Sequence, residues 1–424
     1  MKERYTKNNL RGCLKMRKEK KGLIILGTII AQLGLGTIYT WSLFNQPLVN
    51  MFGWELSKVS MTFSITSFAL AFSTLFAGKL QEKIGIRKLI SICGILLGIG
   101  LILTFKVNSI LMLYITAGII VGAADGIAYI TTLSNCIKWF PEKKGLISGL
   151  SVGAYGTGSL IFKYINGSLI NSSGVLNTFL TWGIIAMILI VAGAQLLKDA
   201  PVKVNNGVNL KESNFSVKEM LKTKEAYLLF VMFFTACMSG LYLIGIVKDI
   251  GVEMVGLSTA TAANAVAMVA VFNTAGRIIL GALSDKIGGL KVILFTFAVT
   301  AVSVLVLSFV PLNFGIFFAC VAGIAFCFGG NITVFPPIVG EFFGLQNQTK
   351  NYGVIYQGFG IGAISGSIIA AAVGGFKATF MVVGILCLVS IAIIAAIKAP
   401  KKVEVKEEKH RGFTTKESYI KQGA

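Results

Sequence analysis

Apolar residues in this chain fall in long runs rather than in the 3.6-residue or two-residue rhythm of half-buried helices and strands. The first run extends from Leu23 to Phe44, broken only by Gln32 and small hydroxyl residues. Further runs follow with rough limits 57–79, 89–105, 109–138, 145–170, 174–197, 226–247, 259–284, 292–310, 313–340, 352–373 and 377–398. A helix rising ~1.5 Å per residue needs ~20 apolar residues to cross a bilayer, so the pattern predicts an all-α integral membrane protein with twelve transmembrane helices. The first run is too long for a signal-peptide core and lacks a small-residue cleavage site, so it reads as a retained helix.

Composition agrees. Of 424 residues, 55% are hydrophobic and only 13% charged, against about 25% charged in a soluble domain, which excludes a water-soluble enzyme of two or three domains. The 39 Lys and Arg outnumber the 18 Asp and Glu, for a net charge of +21. In a soluble chain that excess would suggest nucleic acid; here its location decides. Thirty-three of the cations sit in segments 1–22, 79–88, 138–144, 198–224, 286–291, at Lys350 and in 398–421. The alternate loops hold only Lys58, Lys106, Lys248 and Lys377. By the positive-inside rule both termini are expected in the cytoplasm of a multi-pass plasma-membrane protein. The basic runs lack interleaved aromatics that could stack bases, so no nucleic acid is expected; the lipid bilayer is the expected partner, and a monomer the expected state. Seven cysteines with no C-x-x-C pair, and a lone His410, suggest neither a disulfide framework nor a metal or cofactor site.

The chain also repeats. Gly78-Lys79-Leu80-Gln81-Glu82-Lys83-Ile84-Gly85-Ile86-Arg87-Lys88 joins the second and third runs, and Gly281-Ala282-Leu283-Ser284-Asp285-Lys286-Ile287-Gly288-Gly289-Leu290-Lys291 joins the eighth and ninth, 203 residues later. The same offset carries Trp139-Phe140 onto Phe342-Phe343. A repeat of half the chain predicts two pseudo-symmetric six-helix bundles, 23–197 and 226–398, with a substrate site between them near the bilayer midplane. A basic tail (1–22), a charged central loop (198–225) and a second tail (399–424) complete the organisation. Within each loop the glycines permit close helix ends, the acid is expected to cap the following segment, and the cations enforce orientation.

These paired loops, with Gly78, Glu82, Lys83, Gly85 and Arg87 in one copy and Gly281, Asp285, Lys286 and Gly288 in the other, resemble the signature loop of the major facilitator superfamily. Other segments resemble its oxalate/formate antiporter family and the related monocarboxylate transporters. They are Gly36-Thr37-Ile38-Tyr39-Thr40-Trp41-Ser42-Leu43-Phe44, Trp139-Phe140-Pro141-Glu142-Lys143-Lys144-Gly145-Leu146, Gly153-Ala154-Tyr155-Gly156, Gly276-Arg277, and Gly330-Asn331 with Phe335-Pro336. The resemblance implies a transporter of small carboxylates in which Arg277 holds the substrate carboxylate. Arg277 stands out independently, because an arginine at the centre of a membrane helix costs at least ~2.5–3.5 kcal/mol and its fork suits a carboxylate. The bland alternative is that it snorkels to the nearby interface.

Two departures from the family pattern shape the substrate expectation. Phe359, in Tyr356-Gln357-Gly358-Phe359-Gly360, stands where oxalate-transporting members are expected to have lysine, so one site cation remains and a monoanion such as formate, pyruvate or lactate fits better than oxalate. Asn273, one turn before Arg277, stands where proton-coupled members are expected to have aspartate, which favours exchange. Asp125 and Lys163 are the other deep ionisable groups, ~20 and ~28 Å along their helices; they read either as a buried ion pair or as a proton site and a second cation. Tyr39, Trp41, Tyr129, Tyr155, Asn331, Phe335, Tyr352 and Tyr356 complete the candidate site. Glycines crowd the fifth helix (Gly145, Gly149, Gly153, Gly156) and the eleventh, a small-residue face for sliding or for static packing. The competing functions are a proton-coupled symporter using Asp125, an exporter of larger hydrophobic compounds, which predicts a site without a buried arginine, and a non-transporting carboxylate receptor. No nucleophile–base pair or phosphate-cradling loop points to an enzyme.

Overall fold

The computed structural model describes residues 21–201 and 214–400; the basic N-terminal tail, the C-terminal tail and part of the central loop lie outside the described residues. Twelve long helices follow one another. They are α1 (Lys21–Thr40), α2 (Leu56–Ile84), α3 (Ile86–Thr104), α4 (Ile110–Trp139), α5 (Lys144–Ser173), α6 (Val175–Leu196), α7 (Lys224–Glu253), α8 (Thr259–Ile287), α9 (Gly289–Phe309), α10 (Phe314–Phe343), α11 (Gln348–Ile355 with Gln357–Val373) and α12 (Phe376–Ala396). Eleven are long and apolar enough to cross a membrane. The other, α8, spans 29 residues and carries the site arginine. Each predicted run coincides with one of these helices to within a few residues at either end, the first running on past α1 into the short helix that follows. On the outer surface Phe68, Phe72 and Phe76 of α2 are roughly half exposed, an apolar belt that water would not tolerate and lipid does.

Three helices are irregular where the chain turns inward. α1 tightens to a 3₁₀ turn over Gly36–Thr40 before a short helix, Ser42–Phe52. α4 widens to a π segment over Tyr114–Ile120. α11 breaks at Tyr356.

The 203-residue repeat persists down to individual contacts. A Cβ on Gly126 of α4 would overlap the Leu70 carbonyl of α2, and a Cβ on Gly329 of α10 would overlap the Asn273 carbonyl of α8. Both members of the first pair map onto the second with the offset of the loops, so only glycine lets α4 and α10 approach the backbones of α2 and α8 so closely. In both repeat loops the helix ends on a glycine with positive φ, Gly85 at 77° and Gly288 at 94°, a conformation that any side chain would strain.

The bundles meet through the same equivalence. α5 packs on α8 backbone to backbone, since a Cβ on Gly149 would lie 2.6 Å from the Arg277 carbonyl and one on Gly281 would lie 2.7 Å from that of Gly145. α11 packs on α2, where Thr74 Oγ1 donates to the Gly353 carbonyl at 3.1 Å. At the end bearing the repeat loops, Asp285 accepts from the Gly145 and Leu146 amides at 2.7 and 2.8 Å, and its counterpart Glu82 pairs with Lys350 at 2.6 Å.

The expectation that each loop acid caps its own following segment is therefore corrected. The free amides at the start of α3 are served by Asp199, which accepts from Ile86 N at 3.0 Å. This leaves Glu82 and Asp285 to reach the fifth helix of the opposite bundle, where Asp285 meets the positive end of the α5 dipole. Lys83, Arg87 and Lys286 are exposed. With these contacts formed, the loop-bearing end of the molecule is closed.

Asp285→Asn removes a charge-assisted pair worth about 1.5–3 kcal/mol per hydrogen bond. A cysteine placed at the interbundle residue Ser148, whose hydroxyl donates to the Thr333 carbonyl, should then react with a membrane-impermeant thiol reagent about tenfold faster or more; an unchanged labelling rate would show that Asp285 does not hold this end shut.

Candidate functional site

A small cavity lies between the bundles, ~12 Å from the closed end as counted along α8 from Asp285 to Arg277. The first bundle supplies Tyr39 from α1, Tyr129 from α4, and Val152 and Tyr155 from α5. The second supplies Arg277 from α8, Phe328 and Ile332 from α10, and Tyr356 and Phe359 from α11. The open space at its centre is about that of a single water molecule.

Aromatic rings tie this wall together across the bundle interface. Tyr155 meets Tyr39 edge-on at 5.5 Å and Tyr129 edge-on at 5.2 Å. Tyr129 then meets Tyr356 at 5.5 Å, and Tyr356 stacks on Phe359 at 5.2 Å. Such pairs contribute roughly 0.5–1.5 kcal/mol each beyond their burial and leave the site apolar apart from hydroxyls and one cation.

That cation is Arg277, 8% exposed. Its Nη1 donates to the Val152 carbonyl of α5 at 2.7 Å, and its Nε makes no hydrogen bond with any described residue. Among the described residues no carboxylate pairs with it. Gly156 keeps the space open, because a Cβ there would sit 2.7 Å from Nη1. The guanidinium is thus held toward the cavity rather than snorkelling to the interface, with donors left for an acidic ligand.

Asp125 is fully buried on α4, and its carboxylate accepts from Tyr155 Oη at 3.3 and 3.4 Å. Lys163 does not join it. Lys163 is exposed, on a turn of α5 where the adjoining Tyr164 is 71% exposed, so that turn faces away from the bundle interior, and of the two readings of Asp125 and Lys163 the ion pair does not form.

Five of the sequence-derived aromatics therefore reach the wall: Tyr39, Tyr129, Tyr155, Tyr356 and Phe359. Trp41 does not. The 3₁₀ turn advances each residue by ~120° instead of ~100°, and Trp41 packs on Phe44 and Phe179 in the first bundle. Asn273 donates to the Ala325 carbonyl at 3.3 Å, while the longer arginine one turn on reaches α5. Asn331 accepts from Thr296 of α9 at 2.6 Å, on the side of α10 away from the cavity. Phe335 shares the face of Phe328 and Ile332 but lies one turn nearer the closed end, packed on Phe233 at 4.9 Å. Tyr352 is buried beneath Tyr356. Sequence reasoning missed Val152, Phe328 and Ile332, whose apolar side chains carry no chemical mark; the four-residue spacing of the last two on the face of Phe335 was the available signal.

The chain matches the Major Facilitator Superfamily over residues 24–272 and 228–422, and it belongs to that superfamily of membrane transporters. It is 50% identical over 345 residues to an uncharacterised MFS-type transporter, YhjX, of Escherichia coli K12, covering 81% of this chain and 85% of that one. It is 27% identical over 375 residues to the oxalate:formate antiporter of Oxalobacter formigenes, covering 87% and 89%. Among solved structures, the major facilitator transporter FucP in its outward conformation superposes with a TM-score of 0.71 at 14% identity, covering 88% of this chain and 98% of that one.

Tyr155→Phe deletes the hydroxyl that serves Asp125 and leaves a buried carboxyl without its partner. The loss should cost about 1–3 kcal/mol, read as a lower thermal unfolding midpoint in detergent than that of wild type; an unchanged midpoint would show that the hydrogen bond contributes nothing.

Proposed function

We propose that this chain carries a short monocarboxylate such as formate, pyruvate or lactate across the plasma membrane by alternating access, with both termini and the repeat loops in the cytoplasm. One observation carries the reading: a buried arginine faces an interbundle cavity with donors free and no described acid beside it. A buried cation is retained when something compensates it, and a substrate carboxylate supplies that compensation. The oxalate:formate antiporter among the relatives supports the carboxylate class. Phe359 supports the monoanion, because it fills the wall with an aromatic face where a second cation would be needed to neutralise a dianion. A buried arginine also argues against an exporter of hydrophobic compounds.

In this reading the closed loop end is the cytoplasmic gate. The anion enters from outside, bonds the guanidinium, and the glycine-lined contact of α5 with α8 parts as the bundles rock. The aromatic ring excludes water and limits size, so selectivity for short acids follows from the small space at its centre. Binding must stay modest for release on the far side.

Counterflow of labelled formate or pyruvate in proteoliposomes tests this. Arg277→Ala should weaken apparent affinity about 30-fold or more, the loss typical of truncating one partner of a buried charge pair, and Arg277→Lys should rescue only in part because the fork is lost. Equal counterflow by wild type and Arg277→Ala would overturn the role of Arg277, while binding without flux would favour a receptor. Phe359→Lys should raise oxalate exchange relative to formate exchange; an unchanged ratio would remove Phe359 as the determinant of substrate charge.

A further inference from the structure

Asp125 is a second ionisable group buried next to the substrate cavity, and the anion site does not use it. Its carboxylate is fully buried on α4, and no described cation pairs with it. The packing around it is tight, since a Cβ on the adjoining Gly126 would overlap the Leu70 carbonyl. Among the described residues the one hydrogen-bond donor it meets is Tyr155 Oη, and Tyr155 is itself a wall of the cavity that holds Arg277. One phenol therefore joins the buried acid to the space where the anion would sit.

The other titratable side chains near Asp125 are Cys93 of α3 and, beyond Tyr155, Tyr39 of α1. Tyr129 follows one turn along α4. α2 and α11 present no acid or base to it, because their charged side chains, Lys58, Lys79, Glu82, Lys83 and Lys350, stand at the helix ends. α5 adds Lys163, which is exposed and turned away from the bundle interior, and Arg277 faces Asp125 only across the cavity that Tyr155 walls.

We infer that Asp125 is a proton-binding position coupled to the anion site through Tyr155, so that one proton crosses with one monocarboxylate. This rests on the carboxylate reading of Arg277. With the cavity empty, Asp125 as carboxylate and Arg277 as cation leave the buried region neutral. When a monoanion occupies Arg277 the region carries one uncompensated negative charge, an arrangement that low-dielectric surroundings penalise heavily. A proton taken from the outer solution onto the Asp125 carboxylate restores neutrality. When the bundles rock and the anion leaves inward, the proton leaves with it, and no net charge has moved.

The experiment uses the full-length protein in liposomes loaded with a lumenal pH dye, with labelled pyruvate as probe. In wild type, net pyruvate uptake acidifies the lumen beyond the level of protein-free liposomes, and its initial rate rises up to about tenfold per unit fall in external pH below proton saturation. In Asp125→Asn, which mimics the protonated acid at equal volume, pyruvate–pyruvate counterflow persists while acidification and pH dependence are lost. Asp125→Glu, which keeps the carboxyl, still acidifies. Net uptake by wild type without acidification overturns the proposal, as does acidification that survives Asp125→Asn or a folded Asp125→Asn protein that has lost counterflow. Absence of labelled-pyruvate counterflow in wild type fails the carboxylate reading instead, and the isotope reports that independently of the dye.

Discussion

Everything in the centre of this molecule is arranged around an arginine that no described carboxylate touches. Placing a guanidinium in the middle of a membrane helix is costly, and a protein that needed only stability would pair it with a carboxylate or replace it with an apolar side chain. Here the backbone carbonyl of Val152 takes one of its donors. Gly156 clears the space beside it, and a belt of tyrosines walls it off. A guanidinium with free donors in a dry, small cavity creates a strong preference for one small anion, and that preference is what alternating access can turn into transport.

The two-fold repeat explains how so polar a centre is tolerated and moved. Each bundle offers an acid at the end of its second helix to the fifth helix of the other. Asp285 grips the α5 amides, and Glu82 grips Lys350 at the start of α11. Farther in, Thr74 and Arg277, one repeat apart, each donate across the interface to a backbone carbonyl of that same opposing helix. The gate and the substrate site thus lie on the same pair of helix contacts. An anion that draws the guanidinium from Val152 perturbs the α5–α8 contact that holds the gate, which gives binding a physical route to the conformational change.

Much of this was legible in the chain because membrane helices obey a coarse rule. Twelve apolar runs map onto twelve helices, and the offset of 203 residues between loops reappears in Gly126–Leu70 and Gly329–Asn273. Arg277, Phe359 and four tyrosines were found because charge and aromatic bulk are rare or conspicuous at those depths. What stayed hidden was the azimuth of each side chain. Asn331 and Asn273 look like ligand groups, yet both serve helix packing, since polar residues in a membrane interior satisfy neighbouring helices as readily as substrates. Trp41 was displaced by a 3₁₀ turn that nothing in the local sequence announces. Lys163 and Asp125 share a plausible depth, but the crossing of α4 and α5 turns one outward and the other inward. Phe335 had the right face and the wrong level.

The central claim is that Arg277 supplies the single cation for a single carboxylate. Equilibrium binding of labelled pyruvate and labelled oxalate to the purified protein tests it most directly, with wild type and Arg277→Ala compared at one pH. The account predicts one saturable pyruvate site in wild type, tighter than that for oxalate and lost in Arg277→Ala. Pyruvate binding that is unchanged by the substitution would contradict it.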